Sequence, residues 1–265
     1  MDNVIGCTTR PLHKLPFAEA CKRIADAGYT DVAVFANDGQ VPVRSDSTEE
    51  EIGAARQAAE DAGLKPSMLI GRTQLNLGLE AAVEDYCKLI DNAAALGAAW
   101  LLDCGTSKAE HFDDYFELMR QAAAHAGRKS VVITLKPHGG ITLTSKDILR
   151  ARDRVDQVAF GICYDPGNII HYSKGEERPE DSIDEVAPVV YTAIIKDCIV
   201  VDGKPNVQIT PGEGLVDFER IIGALAKSGF LGPFYVECVD GTETEEIVEN
   251  MKATHQFVSD ILDGL

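Results

Sequence analysis

Four short motifs contain the ionisable side chains best suited to chemistry, and each closes an apolar, strand-like run. They are Lys136-Pro137-His138, Tyr164-Asp165-Pro166-Gly167-Asn168, Ile195-Lys196-Asp197 and Tyr235-Val236-Glu237. A carboxylate such as Glu237 can remove the α-proton of a carbonyl compound, and return of that proton at another position or face gives isomerisation or epimerisation. The ammonium group of Lys136 could stabilise the enolate oxygen that develops. The motifs therefore indicate proton-transfer chemistry next to a carbonyl group.

Four of these side chains are candidate catalytic residues. Glu237 is the candidate base and Lys136 the candidate electrophile, while Asp165 would orient the substrate or act as a second acid–base group. His138 follows Lys136 by two residues, so both side chains point to the same face of an extended strand. We therefore expect His138 to hydrogen-bond a substrate hydroxyl or to shuttle a proton.

Four further side chains are candidate substrate contacts: Asn168, Lys196, Arg72 and His13. The amide of Asn168 suits substrate hydroxyl groups, and the guanidinium of Arg72 suits a phosphate or carboxylate. His13 follows the first strand-like run, on the same side as the four motifs. Lys196 and Asp197 are expected to form a salt-bridged pair that frames the pocket.

Eight strand-then-helix units must position these residues. Strands are predicted at 4–8, 31–36, 64–70, 98–103, 130–136, 158–164, 192–197 and 233–238. Helices are predicted at about 16–27, 47–63, 79–96, 110–126, from 144 onward, 183–190, 216–228 and 243–262. Alternation of strands and helices is typical of parallel βαβ units, and eight of them favour closure into a barrel. The 265 residues fit one (β/α)8 barrel of about 250 residues, spanning 1–265 as a single domain, with the motifs at its catalytic C-terminal rim.

Two connections are longer than a minimal barrel requires. They cover residues 168–181 and 199–215, and both follow predicted strand C-termini. Long loops at such positions commonly carry function. We therefore expect both segments to stand over the rim as a lid or substrate wall, with an ordinary flexible surface loop as the alternative.

Composition excludes several function classes. The chain carries 25 Lys and Arg against 43 Asp and Glu, a net charge of −18, which disfavours nucleic acid and anionic membranes as partners. No apolar stretch reaches the roughly 20 residues needed to span a membrane. The 7 cysteines are dispersed without a C-x-x-C pair, a pattern that predicts reduced thiols and a cytoplasmic location.

The motifs at 135–138, 164–168, 194–197, 211–218 and 229–237 together resemble the xylose isomerase-like TIM barrels, of the sugar phosphate isomerase/epimerase type. The resemblance covers essentially the whole chain and is strongest from about 130 to 238. It implies a small carbohydrate substrate, and proteins of this type often form homo-oligomers. The motifs are fairly specific for the superfamily and weak for the substrate.

The resemblance also implies a divalent metal, Mn, Mg or Zn, on a glutamate, an aspartate, a histidine and a glutamate after strands five to eight. Asp165 and Glu237 match this pattern, but Lys136 and Ile194 stand at the other two positions. One hypothesis is that the charge of Lys136 replaces that of the cation, since Lys136, Asp165 and Glu237 carry one net negative charge, as the complete metal site would. The alternative is a metal bound by His138, Asp165 and Glu237.

The leading functional interpretation is a sugar or keto-sugar isomerase or epimerase that acts by α-proton abstraction at the barrel mouth. A lyase that uses the same deprotonation for β-elimination on oxidised glycosides, as C-glycoside-cleaving barrels do, is an alternative within enzymes. A non-catalytic carbohydrate-binding barrel with a degenerate metal site is the alternative outside them.

Overall fold

Eight parallel strands form a closed barrel in the computed structural model, which describes residues 3–265. The strands of the chain are β1 (Ile5–Thr8), β2 (Asp31–Val34), β3 (Lys65–Ile70), β4 (Trp100–Asp103), β5 (Val132–Leu135), β6 (Phe160–Tyr164), β7 (Val190–Ile195), β8 (Ile199–Val201), β9 (Lys204–Asn206) and β10 (Phe234–Val236). β10 closes the barrel between β7 and β1, whereas β8 and β9 form a separate antiparallel hairpin. The predicted (β/α)8 barrel is confirmed.

Helices cover the outside of the barrel. They are α1 (Phe17–Asp26), α2 (Glu49–Asp61), α3 (Leu79–Leu96), α4 (Phe112–Arg128), α5 (Ser145–Val155), α6 (Pro166–Ser173), α7 (Pro179–Val186), α8 (Phe218–Lys227) and α9 (Thr244–Asp263). Thr48 and Thr144 begin α2 and α5 with reciprocal capping boxes to Glu51 and Asp147. Local sequence signals thus fix where these helices start. Among helices of residues 3–265, none is both long and apolar enough to cross a bilayer.

Side chains fill the interior of the barrel below its mouth. The interior cluster contains Ala33, Phe35, Met68, Leu102, Cys163, Ile194 and Tyr235, all buried. The hydroxyl of Tyr235 lies 2.7 Å from that of Ser67 across the barrel. Gly6 makes room for this ring, because a Cβ at that position would lie 2.6 Å from it. The barrel is therefore a packed core, and a ligand would meet it at the rim.

The segment 168–181 is not the irregular loop that the sequence analysis expected. It contains most of α6, and α7 begins at Pro179, earlier than the predicted helix at 183–190. Asp165 caps α6 by accepting a hydrogen bond from the backbone N–H of Asn168 at 2.9 Å, and Pro166 occupies the first helical turn. The motif at 165–168 has the composition of a turn, but it forms the N-terminus of α6. A helix therefore covers this part of the rim.

The segment 199–215 is a long connection, as predicted, but it is partly regular. The hairpin of β8 and β9 forms its first half. Its second half, 207–215, returns toward the barrel and is held there by Asp197, as described below.

Candidate active site

Four charged side chains meet at the C-terminal mouth of the barrel. Lys136 follows β5, Asp165 follows β6, Lys196 follows β7 and Glu237 follows β10. All four are at most 3% exposed. We call these four residues the charged network.

Each lysine of the charged network contacts both carboxylates. Lys136 Nζ lies 2.7 Å from Glu237 Oε2 and 3.6 Å from Asp165 Oδ2. Lys196 Nζ lies 2.6 Å from Glu237 Oε1 and 2.9 Å from Asp165 Oδ2. Two ammonium groups and two carboxylates therefore alternate around one small volume, and their formal charges cancel. Convergence of Lys136, Asp165 and Glu237 at one mouth agrees with the expectation from sequence.

Burial and pairing act in opposite directions on the ionisation of this network. Burial lowers the pKa values of Lys136 and Lys196, but attraction to the carboxylates outweighs it and leaves both raised. Burial likewise raises the pKa of Glu237, and the two lysines more than reverse this, so that its pKa falls well below its usual range. The lysines are therefore protonated, and Glu237 is ionised, across the neutral pH range.

The expected salt bridge between Lys196 and Asp197 is wrong. Lys196 points into the charged network, whereas Asp197 points toward the segment 210–216. The carboxylate of Asp197 accepts backbone hydrogen bonds from Cys198, Gly212, Gly214 and Val216, at distances from 2.8 to 3.0 Å. Consecutive residues of an extended chain face opposite sides, which is why the two side chains separate. Asp197 anchors the long connection beside the mouth.

Two polar side chains border the charged network. The amide of Asn168 accepts a hydrogen bond from Lys196 Nζ at 3.1 Å and donates one to the carbonyl of Pro137 at 2.8 Å. Arg10 Nε lies 3.8 Å from Glu237 Oε1, and this side chain is 40% exposed. Arg10 thus adds a positive charge at the solvent side of the charged network.

His138 lies on the rim and faces solvent rather than the carboxylates. Its ring nitrogens are 2.9 and 3.0 Å from the hydroxyl of Tyr172 on α6. Partial burial, followed by the positive charge of Lys136, lowers the pKa of His138 to about 4. His138 is therefore a neutral imidazole near pH 7, able to donate or accept one hydrogen bond.

The structure does not bring Arg72 and His13 into contact with the charged network. Arg72 follows β3 and lines two cavities on that side, of about 260 and 710 Å³. Lys108 and His111 also line the smaller one. His13 is exposed, and its Nδ1 lies 3.0 Å from the carbonyl oxygen of Arg10.

His171 is a further polar side chain near the site, and it lies on α6 rather than in the loop predicted there. His171 follows Asn168 by three residues on α6, so it lies one helical turn further along the same face. Its Nδ1 is buried and has no hydrogen-bond partner among residues 3–265. Burial and then the charge of Lys196 lower the pKa of His171. The three-residue spacing of Asn168 and His171 predicts that they share one face only if 166–173 is predicted as a helix.

The residues at the mouth do not fit the divalent metal that the family resemblance implies. Among residues 3–265, no three His, Cys, Asp or Glu side chains come together as ligands would. The set of His138, Asp165 and Glu237 is therefore not assembled: the lysines hold both carboxylates, and His138 contacts Tyr172 instead. Ile194 is 1% exposed and packs inside the barrel.

A parallel barrel with acidic and ammonium groups converging at its C-terminal mouth belongs to the class of (β/α)8 barrels in which that rim carries the active site. The family model of the xylose isomerase-like TIM barrel matches residues 21–257. The chain belongs to this family. A search of curated proteins finds no match.

Solved structures from this family share the fold at low sequence identity. A xylose isomerase-like TIM barrel protein from Mycobacterium smegmatis, in complex with magnesium, has 19% identity and a TM-score of 0.78, with 98% of each chain covered. D-psicose 3-epimerase from Clostridium cellulolyticum H10, solved with D-tagatose, has 13% identity and a TM-score of 0.78, covering 98% of this chain and 99% of that one. D-allulose 3-epimerase from Methylomonas sp. has 15% identity and a TM-score of 0.74, with 98% of each chain covered.

Proposed function

We propose that this protein is a sugar or keto-sugar isomerase or epimerase that works by α-proton abstraction and enolate stabilisation. The observation that carries the proposal is the 2.7 Å contact between Lys136 Nζ and Glu237 Oε2 at a buried barrel mouth. It places a carboxylate and a hydrogen-bond-donating cation side by side, as deprotonation next to a carbonyl requires. Similarity to solved sugar 3-epimerases supports a ketose substrate.

Substrate binding would free the base. Glu237 is a weak base while ammonium groups hold both of its oxygens, because its pKa is lowered. A substrate carbonyl oxygen that accepts the hydrogen bond of Lys136 would release Glu237 Oε2. Removing one cation contact raises the proton affinity of the carboxylate. Glu237 would then become a competent base only when a carbonyl group is in place.

The first step forms an enolate. The α-C–H bond breaks and its proton passes to Glu237, while its electron pair forms the C=C bond and the carbonyl π pair moves onto the oxygen next to Lys136. Asp165 keeps Lys196 in position, and Asn168 remains a candidate contact for a substrate hydroxyl. Protonation of the opposite face by a second acid–base group, for which Asp165 is the candidate, gives an epimer. Protonation of the neighbouring carbon after enediol formation gives an isomer.

The side chains on the rim would contact the rest of the substrate. His138, held by Tyr172, is neutral near pH 7 and suits a hydroxyl group or a proton relay. Arg72 and His13 remain candidate substrate contacts, although neither contacts the charged network.

Hydrogen–deuterium exchange tests the proposal before the product is known. Protein in D2O is incubated with ketoses that include D-psicose, D-tagatose and D-fructose, and carbon-bound deuterium is measured by NMR. We expect exchange next to the carbonyl of at least one sugar, and a loss of about 100-fold or more in Glu237→Gln. Glu60→Gln, an exposed change on α2, is the matched control and should retain full exchange.

The outcomes separate the candidate functions. An oxidised glycoside is incubated in the same way, and release of a second fragment from it would indicate the lyase instead. Sugar binding without exchange for any member of the panel would indicate the carbohydrate-binding barrel. Exchange that persists in Glu237→Gln would exclude Glu237 as the base.

A further inference from the structure

Every carboxylate oxygen at the mouth already accepts a contact from this chain. Glu237 Oε2 is held by Lys136, and Glu237 Oε1 by Lys196, with Arg10 nearby. Asp165 Oδ2 is held by Lys196, and Asp165 Oδ1 accepts the backbone N–H of Asn168. The oxygens that would face a cation are therefore already occupied by N–H donors.

The ammonium groups also supply the charge that a cation would bring. Lys136 and Lys196 together carry two positive charges, equal to one divalent ion, and both contact the two carboxylates within 3.6 Å. The hypothesis from the sequence assigns this compensation to Lys136 alone. The structure shows that Lys196 contributes equally, with the shorter contact to Asp165.

A cation added to this site would have to displace the lysines from the carboxylates. The charged network is neutral, and Arg10 adds a further positive charge at its solvent side. The four ligands that the family resemblance implies would carry three negative charges, whereas Asp165 and Glu237 alone carry two. On β7, the buried, apolar side chain of Ile194 stands where that resemblance places a histidine ligand.

We infer that Lys136 and Lys196 together replace the divalent cation, and that Lys196 is a second electrophile for the developing enolate. The electrophilic role of Lys196 rests on the proposed function. The replacement of the cation by the two lysines does not. The pair can donate hydrogen bonds to an anionic oxygen from two sides, as a cation would coordinate it.

Metal binding tests the inference independently of turnover. Mn²⁺ is titrated into the purified protein at pH 7, and free Mn²⁺ is followed by electron paramagnetic resonance. Mn²⁺ is preferred here over Zn²⁺ because the 7 cysteine thiols attract the softer ion. We expect no stoichiometric site in the unmodified protein, and no change in its thermal unfolding midpoint in EDTA.

Two substitutions should rebuild the implied metal site. Lys136→Glu with Ile194→His places a second glutamate and a histidine beside Asp165 and Glu237, and should tighten Mn²⁺ binding by about 100-fold or more. Lys14→Glu is the matched control, because it makes the same charge change at an exposed position without an ion pair among residues 3–265. Circular dichroism checks that the variant is folded.

The unmodified protein alone can overturn the inference. One Mn²⁺ bound per chain with micromolar affinity, or an unfolding midpoint that falls in EDTA and recovers with Mn²⁺, would show that a cation displaces the lysines.

Deuterium exchange in lysine variants tests the electrophilic role of Lys196, the catalytic half of the inference. Lys196→Met should reduce deuterium exchange as strongly as Lys136→Met, and full exchange in Lys196→Met would show that Lys196 is not an electrophile. Failure of every ketose to exchange would instead count against the proposed function and leave the metal titration valid.

Discussion

Lys136→Met should destabilise the protein at neutral pH, because it removes one cation from a buried network. Breaking a buried ion pair by deleting one partner costs about 3–5 kcal/mol. Glu237 keeps its 2.6 Å contact with Lys196, so we expect the lower end, about 3 kcal/mol. An unfolding entropy of about 2.1 cal/mol/K per residue over 265 residues converts this into a fall of about 5 °C in Tm.

The loss should depend on pH in a defined direction. A carboxylate whose pKa is lowered by folding stabilises the native state above its unfolded pKa, and this stability disappears as pH falls through the folded value. For Glu237, the wild type therefore loses up to about 1.4 kcal/mol per pH unit below its ordinary pKa of 4.5. In Lys136→Met the pKa of Glu237 is lowered less. The difference in unfolding free energy between the variant and the wild type should therefore shrink toward pH 3.

Urea unfolding followed by circular dichroism at pH 7 and at pH 3.5 measures both effects. Lys146→Met, an exposed change on α5, is the matched control and should stay within about 0.5 kcal/mol of wild type. Lys136→Met that equals or exceeds wild-type stability at pH 7 would refute the reasoning, since the network would then be costing stability. If the stability difference between Lys136→Met and wild type is the same at pH 3.5 as at pH 7, Glu237 is not the titrating group.

Three further variants test the surroundings of the network. Asp197→Ala leaves buried N–H groups unpaired and should cost about 2–4 kcal/mol, with faster amide hydrogen exchange at 212–216 than in wild type; unchanged exchange there would mean that other contacts hold the segment. Tyr172→Phe removes the hydrogen bond to His138 and should lower kcat/KM by about tenfold at most, with altered His138 chemical shifts in NMR titration; identical shifts would contradict the contact. Arg72→Met should raise KM with little change in kcat, and a selective loss of kcat would place Arg72 at the reacting atoms.

The barrel was predictable because its signals are local. Alternation of apolar strands with capped helices identifies each unit, and the C-terminal ends of parallel strands then meet at one rim whatever the tertiary detail. This is why Lys136, Asp165 and Glu237 could be grouped from the sequence. Their roles in catalysis stay predictions.

The rest of the site depends on features that sequence patterns do not carry. Asp-Pro-Gly-Asn at 165–168 has turn composition, and only the cap made by Asp165 shows that a helix starts there. The direction of Lys196 could have been inferred from strand alternation, but Asp197 as an immediate neighbour suggested a local pair. The sequence places Arg10 just after the first strand, on the rim side, but its contact with Glu237 depends on the pairing of β1 with β10.

Asp165 uses its two oxygens for different purposes, and this limits how the residue can be changed. Oδ1 holds the N-terminus of α6, the helix that carries Asn168, His171 and Tyr172, while Oδ2 binds Lys196. Truncation to alanine would therefore disturb the helix and the charge balance together. Asparagine can still cap a helix but carries no charge, so Asp165→Asn separates the two contributions. Position 165 thus links α6 to the charged network. A substitution there that removes both oxygens would affect the helix and the network together.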